Sequence, residues 1–313
     1  NAATAGCEGA IGGGIAFTTS DGDLWTLSSD GGATAELLST PSNEPVLALG
    51  TGVDLDDDGN VGVVYVQKNA SGAAVQTLKV IDANDGQAST FSLPVAAKTS
   101  KTLLGVGSWS GSGPSAFYVA KTGNGDEIFR VPFDGSPVQT TANPANGVDA
   151  ILGVADIDGD GQNELVFVDG SQQTRYVEQS DGVTAPFTKV QNAGAGSNNN
   201  IGIGSCLADV DGDGSASIPF IDGSNQVRLA DASGVHTTLI TGSDNEEAAK
   251  TPLAWAEVDN DGETELIYLE NNNSPAELKY VDEVNGAITF KVLTDASGNR
   301  IEASTSSGVV SAQ

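Results

Sequence analysis

The chain has 313 residues, with 40 glycines, no methionine and only 5% aromatic residues. Its 42 acidic side chains face 13 basic ones, a net charge of −29 with a sequence pI near 4.1. Such a surface repels phosphate backbones and anionic lipid, which excludes nucleic acid as a partner; no apolar run reaches the length of a membrane span, which excludes direct insertion.

The first residues, Asn1-Ala2-Ala3, include no methionine and no basic segment ahead of an apolar one. The expectation is a trimmed chain whose targeting segment has been removed. Cys7 and Cys206 are too far apart for a CxxC metal or redox motif; in an exported protein they are expected to form one long-range disulfide, and as free buried thiols they would be inert packing residues. Gly12-Gly13-Gly14 has no lysine or helix behind it, so it does not cradle phosphate. Residues 15–40 read as the later part of a repeat whose first strand and loop are missing. Complete copies follow. VDLDDDGNVGVVYV starts at Val53, ADIDGDGQNELVFV at Ala155, ADVDGDGSASIPFI at Ala208 and AEVDNDGETELIYL at Ala256. A degenerate copy, LLGVGSWSGSGPSAFYV from Leu103, places Ser108, Ser110 and Ser112 where the others carry acids. The loops begin at 54, 108, 156, 209 and 257, a period of about fifty residues.

Each copy runs from its loop into an apolar, β-branched stretch such as Leu165-Val166-Phe167-Val168, then a turn and two more alternating segments. Asp169-Gly170 and Asp222-Gly223 are hairpin signals, and no stretch has a capped helical period. Four short strands per copy, repeated radially, predict an all-β propeller of six blades, each of four antiparallel strands. The blades are expected at 15–40 with 301–313, 47–95, 103–147, 151–195, 203–245 and 252–295. Residues 301–313 supply the strand the first blade lacks, closing the ring and removing sheet edges that would invite aggregation. Seven blades would follow if the two ends formed separate sheets.

The loops carry the chemistry. Asp156, Asp158 and Asp160 stand at alternate positions of a tight turn, so their short carboxylates can converge on one hard cation. Gly161 permits the turn, the Gln162 carbonyl is placed as a further ligand, and Glu164 completes the shell. An EF-hand needs a glutamate at its twelfth position, where these loops have Tyr65, Phe167, Phe220 and Tyr268. Asp-Gly turns are common in solvent, but four copies in one register favour metal binding.

The loops, their apolar flanks and the period resemble the FG-GAP repeats of integrin α-subunit propellers and their bacterial and archaeal relatives, over about residues 11–295. The resemblance implies calcium between the first and second strands of a blade, with ligands at positions one, three, five, seven through the backbone, and nine. On that pattern Asp156, Asp158, Asp160, Gln162 and Glu164 form a full set, as do Glu257, Asp259, Asp261, Glu263 and Glu265 with a glutamate first. Asp209, Asp211, Asp213 and Ser215 match, but Ser217 replaces the ninth-position acid. Asp54, Asp56, Asp58 and Asn60 match, but Gly62 offers no side chain. Up to four Ca²⁺ ions are expected, the last two sites being weaker, and none in the serine loop.

Little else points to chemistry. His236 reads as an exposed loop residue without a nucleophile elbow, and the histidines of a zinc site are missing. Paired carboxylates for glycoside hydrolysis remain an open alternative among so many acids. Of the three tryptophans, Trp255 reads as core and Trp109 is the better candidate for exposed contact, with packing at least as strong a reading for it, Trp25 being open between the two. Asn69-Ala70-Ser71 and Asn272-Asn273-Ser274 are glycosylation sequons, and the base-poor acidity suits concentrated salt, hence a halophilic source. The expectation is a non-enzymatic adhesion or surface-structural module, extracellular or at the cell surface. Its loop face would bind a protein or glycan ligand, or neighbouring copies in a surface assembly. A calcium-dependent lectin and a secreted polysaccharide lyase or hydrolase are the alternatives.

Overall fold

The computed structural model describes residues 14–18, 24–28, 34–39, 46–53, 62–67, 77–82, 88–98, 104–109, 113–194, 200–201, 207, 209, 213–221, 227–240, 249–256, 265–270, 276–284, 287–294, 300, 302–303 and 309–312. Every regular element among them is a strand. β1 (Gly14–Thr18), β2 (Leu24–Ser28) and β3 (Thr34–Ser39) come first. β4 (Val46–Val53), β5 (Gly62–Gln67), β6 (Thr77–Asp82) and β7 (Ala88–Ser92) form the next meander. Then come β8 (Leu104–Ser108), β9 (Pro114–Thr122), β10 (Gly125–Pro132) and β11 (Gln139–Ala142). The fourth set is β12 (Val148–Ala155), β13 (Glu164–Asp169), β14 (Gln173–Val177) and β15 (Thr188–Gly194). The fifth is β16 (Asn200–Ile201), β17 (Ile218–Ile221), β18 (Val227–Asp231) and β19 (Gly234–Ile240). The sixth is β20 (Ala249–Ala256), β21 (Glu265–Glu270), β22 (Ala276–Val284) and β23 (Ala287–Val292), followed by β24 (Glu302–Ala303) and β25 (Val309–Ala312).

These make six antiparallel sheets, each following chain order except the first, which runs β25-β1-β2-β3. The strand the first blade lacks is thus supplied by the other end of the chain, with Phe17 opposite Val309 and Gly14 opposite Ala312. Among the described residues, 309–312 do this. Glu302–Ala303 instead adds a short strand beside Ala276–Glu277 of β22, where Arg300 donates to the Glu277 carboxylate. Within the expected 301–313 span the described residues thus form two short strands, 302–303 and 309–312. β25 lies between β4 and β20, β4 beside β8, and β8 beside β12. The fold is the six-bladed propeller expected.

Why the second strand of a blade lacks strand-like alternation is plain from its packing. Ala116, Tyr118 and Ala120 of β9 face the second blade, packing with Val64, Leu78 and Val80. Phe117 and Val119 face the fourth, packing with Ile151, Leu165 and Phe167. Both faces are buried, so both are apolar. β13 repeats this, with Val166 and Val168 turned to Ile218 and Phe220 of the fifth blade. Near the axis the strands approach too closely for side chains. A Cβ at Gly105 would lie 2.6 Å from Ile151 Cγ2, and one at Gly107 2.7 Å from Val154 Cβ.

Deleting residues 309–313 is expected to leave β1 with an unpaired edge. Calorimetry and size-exclusion chromatography should show loss of a single cooperative melt, or aggregation; a soluble truncation of unchanged melting would contradict the closure.

Candidate metal centre

The loop joining β12 to β13 is built by its first aspartate. Asp156 Oδ1 accepts the amides of Gly159 (2.7 Å) and Asp160 (3.1 Å), and Oδ2 accepts that of Gly161 (2.8 Å). The winding this needs puts Gly159 and Gly161 at φ of 77° and 85°, the left-handed region that glycine enters freely. Asp160 turns away from the loop's interior, accepting the backbone amide of Gln162 at 2.8 Å and its side-chain amide at 3.2 Å.

Three carboxylates remain together. Asp156, Asp158 and Glu164 each offer an oxygen within 4.8 Å of the others. Asp158 is exposed and Asp156 nearly buried, and Glu164 is fully buried at the start of β13. Glu164 Oε2 accepts the Ile157 amide at 2.9 Å, while Oε1 is sealed from solvent with no hydrogen-bond partner. Burial pushes the Glu164 carboxyl up to about 8; the Ile157 amide opposes that, and the charges of Asp158, Asp156 and Asp160 add to it. A buried acceptor without a donor, beside two further carboxylates, fits a hard cation. This triad can hold a metal ion, and calcium's preference for oxygen ligands suits the donor set.

Neighbouring loops brace this one. Asn163 Nδ2 donates to the Ser108 carbonyl at 2.8 Å, reaching the serine loop of the third blade. On the other side Ala216 N donates to the Asp156 carbonyl at 2.6 Å, and Ala232 N to that of Ile157 at 3.1 Å. The Tyr176 hydroxyl donates to Asp158 Oδ2 at 3.4 Å, and burial, with the Asp158 charge, raises that phenol above its usual range. Sequence reading missed Asn163 and Tyr176, because only the stacking of strands brings them to the loop.

The fifth-blade loop winds the same way where it is described. Gly214 N donates to Asp209 Oδ2 at 3.0 Å and Ser215 N to Asp213 Oδ1 at 2.8 Å, matching Gly161 to Asp156 and Gln162 to Asp160. Its ninth position, Ser217, is buried, as is Glu265 at the start of β21. Asp54, Asp56, Asp58, Asn60, Asp211, Glu257, Asp259, Asp261 and Glu263 lie outside the described residues, as do Cys7, Cys206, Asn69 and Asn272.

One expectation is corrected: His236 is in strand β19, not a loop, because Asp231 Oδ1 collects the Ser233 and Gly234 amides into a turn so short that the strand resumes at Gly234. Of the two readings of Trp109 the packed one holds: it is buried, its indole donates to the Val177 carbonyl at 3.3 Å, and its ring meets Phe117 edge-on at 5.9 Å.

No protein-family model and no curated protein matches the chain. Among solved structures it is similar to TolB from Acinetobacter baumannii (TM-score 0.58, 15% identity), covering 95% of this chain and 66% of that one. The chain thus spans just under two thirds of TolB. A variant of AofleA from Arthrobotrys oligospora gives a TM-score of 0.55 at 12% identity over 96% of this chain and 89% of that one. A protein of unknown function from Bacteroides caccae gives 0.53 at 8% identity, covering 96% and 99%. At such identities the likeness is one of fold, and the fold is the β-propeller.

A carboxyl raised in the folded state from 4.5 to about 8 stabilises the fold through its protonated form. That contribution is complete below the unfolded value and is lost as pH rises through the window to about 8. Metal-free protein should therefore melt lower at pH 8 than at pH 5, with Glu164→Gln flattening the difference. Trp109→Ala should cost about 3–5 kcal/mol in denaturant unfolding, as for other buried tryptophans.

Proposed function

We propose that this chain is a calcium-binding propeller of an extracellular or cell-surface protein, acting as an adhesion or structural module rather than an enzyme. The partnerless oxygen of buried Glu164, within reach of Asp156 and Asp158, carries this reading. A carboxylate is costly to bury alone, and a divalent ion offsets that cost while cancelling repulsion among the three. The ion's role is structural. It fixes the loop between two strands, and through Asn163 and Asp156 it stiffens contacts to the third and fifth blades. The other acidic loops, whose sequences share the register, are assigned weaker or equal sites in the same manner. The loop face so rigidified binds a protein or glycan ligand or neighbouring copies.

The test is melting and calorimetric titration of EDTA-stripped protein at fixed ionic strength. Calcium at one hundred times Kd should add about 2.7 kcal/mol per occupied site. Asp158→Ala should remove more of this gain than Asp56→Ala, since only the former belongs to a ligand set ending in glutamate. Equal melting with calcium and with EDTA would overturn the proposal. Incubation with acidic and neutral polysaccharides and phosphoesters should give no turnover.

A further inference from the structure

Asp158 is the acid that the fourth-blade loop itself holds least firmly. Asp156 collects three backbone amides, and Glu164 is buried against the Ile157 amide. Asp158 is exposed, and its Oδ1 accepts a single amide, that of Asp160, at 3.3 Å. Its Oδ2 is met from another strand. The Tyr176 hydroxyl on β14 donates to it at 3.4 Å, and Thr188, opposite Tyr176 on β15, hydrogen-bonds the same hydroxyl. Tyr176 is 9% exposed and belongs to the cluster of Val166, Val168 and Ile218 between the fourth and fifth blades, so the hydroxyl is carried by a ring with little freedom to move.

Strand register shows what stands at this place elsewhere. Tyr176 pairs with Val166, and the matching pairs are Val64–Val80, Phe117–Arg130, Pro219–Leu229 and Ile267–Tyr280. Two positions before the first member of each pair lies the residue that ends the loop. It is Glu164 for Tyr176, Glu265 for Tyr280, Ser217 for Leu229 and Gly62 for Val80. A tyrosine thus stands in the two blades whose loops end in glutamate, and an aliphatic residue in the two whose acidic loops do not. Valine and leucine meet the packing at this place; what tyrosine adds is a hydroxyl that needs an acceptor when buried. The third blade shows that the place reaches the loop's end, since Arg130 Nε donates to Ser115 Oγ at 2.8 Å, where Ser115 is the counterpart of Glu164.

We propose that Tyr176 is a positioning residue of the fourth-blade metal centre, its hydroxyl holding the Asp158 carboxylate beside Asp156 and Glu164 ahead of the ion. The proposal rests on the reading of this loop as a calcium site and deepens it. An exposed aspartate left to itself samples several rotamers, and fixing it beforehand lowers the ordering cost of binding. Removing an outer partner of a metal ligand typically weakens binding about 10–100-fold, and the hydrogen-bond length of 3.4 Å favours the lower figure.

The test uses the full chain carrying Asp56→Ala, Asp211→Ala and Asp259→Ala, which leaves one complete acidic loop. EDTA-stripped protein is titrated with calcium by calorimetry at fixed ionic strength, and calcium release is timed by stopped-flow mixing with chelator. Tyr176→Phe should raise Kd about tenfold, chiefly through faster release, with melting of the metal-free protein nearly unchanged. Tyr118→Phe is the control: it removes a buried phenol that donates to the Val95 carbonyl, and it should leave Kd where it was. A Tyr176→Phe protein with the parent's Kd, or an equal loss in Tyr118→Phe, refutes the positioning role while calcium uptake by the parent keeps the metal reading intact. A parent that takes up no calcium removes that reading, and the role of Tyr176 with it.

Discussion

Burial of both faces of a blade's second strand, seen in the five blades where those side chains are described, is the constraint on which the other features depend. Four strands have two broad faces, and a sheet this small cannot leave either one wet and remain stable. Here each face is covered by the next sheet: Phe117 and Val119 against Leu165 and Phe167, then Val166 and Val168 against Ile218 and Phe220. Each fully buried side chain of this size contributes roughly 1.5–3 kcal/mol. Because no blade supplies both partners, the stabilisation exists only when neighbours stack. The pairing of β25 with β1 belongs to the same logic, since an unfinished blade would expose both an edge and a face.

That stacking also sets the electrostatics of the loops. The second strand enters the core immediately after the loop, so the loop's ninth residue is already buried at Glu164, Ser217 and Glu265. Glu164 is thereby desolvated beside Asp156 and Asp158, and its carboxyl rises to about 8. A turn of the same composition on a free hairpin would keep its acids hydrated and unshifted. Loop winding is local, by contrast, because Asp156 and Asp209 each collect a glycine amide five residues on. Sequence dictates the winding; the propeller dictates the charge burial that makes the site demand a cation.

The third blade shows the two requirements separated. It keeps the packing, with Tyr118 stacked on Phe129 at 5.4 Å and Trp109 wedged against Phe117, yet its loop holds serines. It still anchors its neighbour, since the Ser108 carbonyl accepts from Asn163. The blade geometry thus survives without a cluster of acids.

The sequence alone determined the strand content, the positions of the acidic loops and a count of six or seven blades. These follow from local rules, the in-register Asp-Gly turns and a period of about fifty residues, which need no knowledge of neighbours. Even the pairing of the chain's end with its first blade was legible, as a missing strand at one end and a spare one at the other. What tertiary structure alone decided was burial. Trp109 and an imagined surface tryptophan share one sequence context, and only the stacking of the fourth blade puts the Val177 carbonyl over its indole. Of the acids in the Asp156 loop, the pattern treats Asp160 as equal to Asp158, while the fold turns Asp160 to Gln162 and keeps Asp158 with Glu164. Local hydrogen bonds are written in adjacent residues; which side chains lose their water depends on residues about fifty or more positions away.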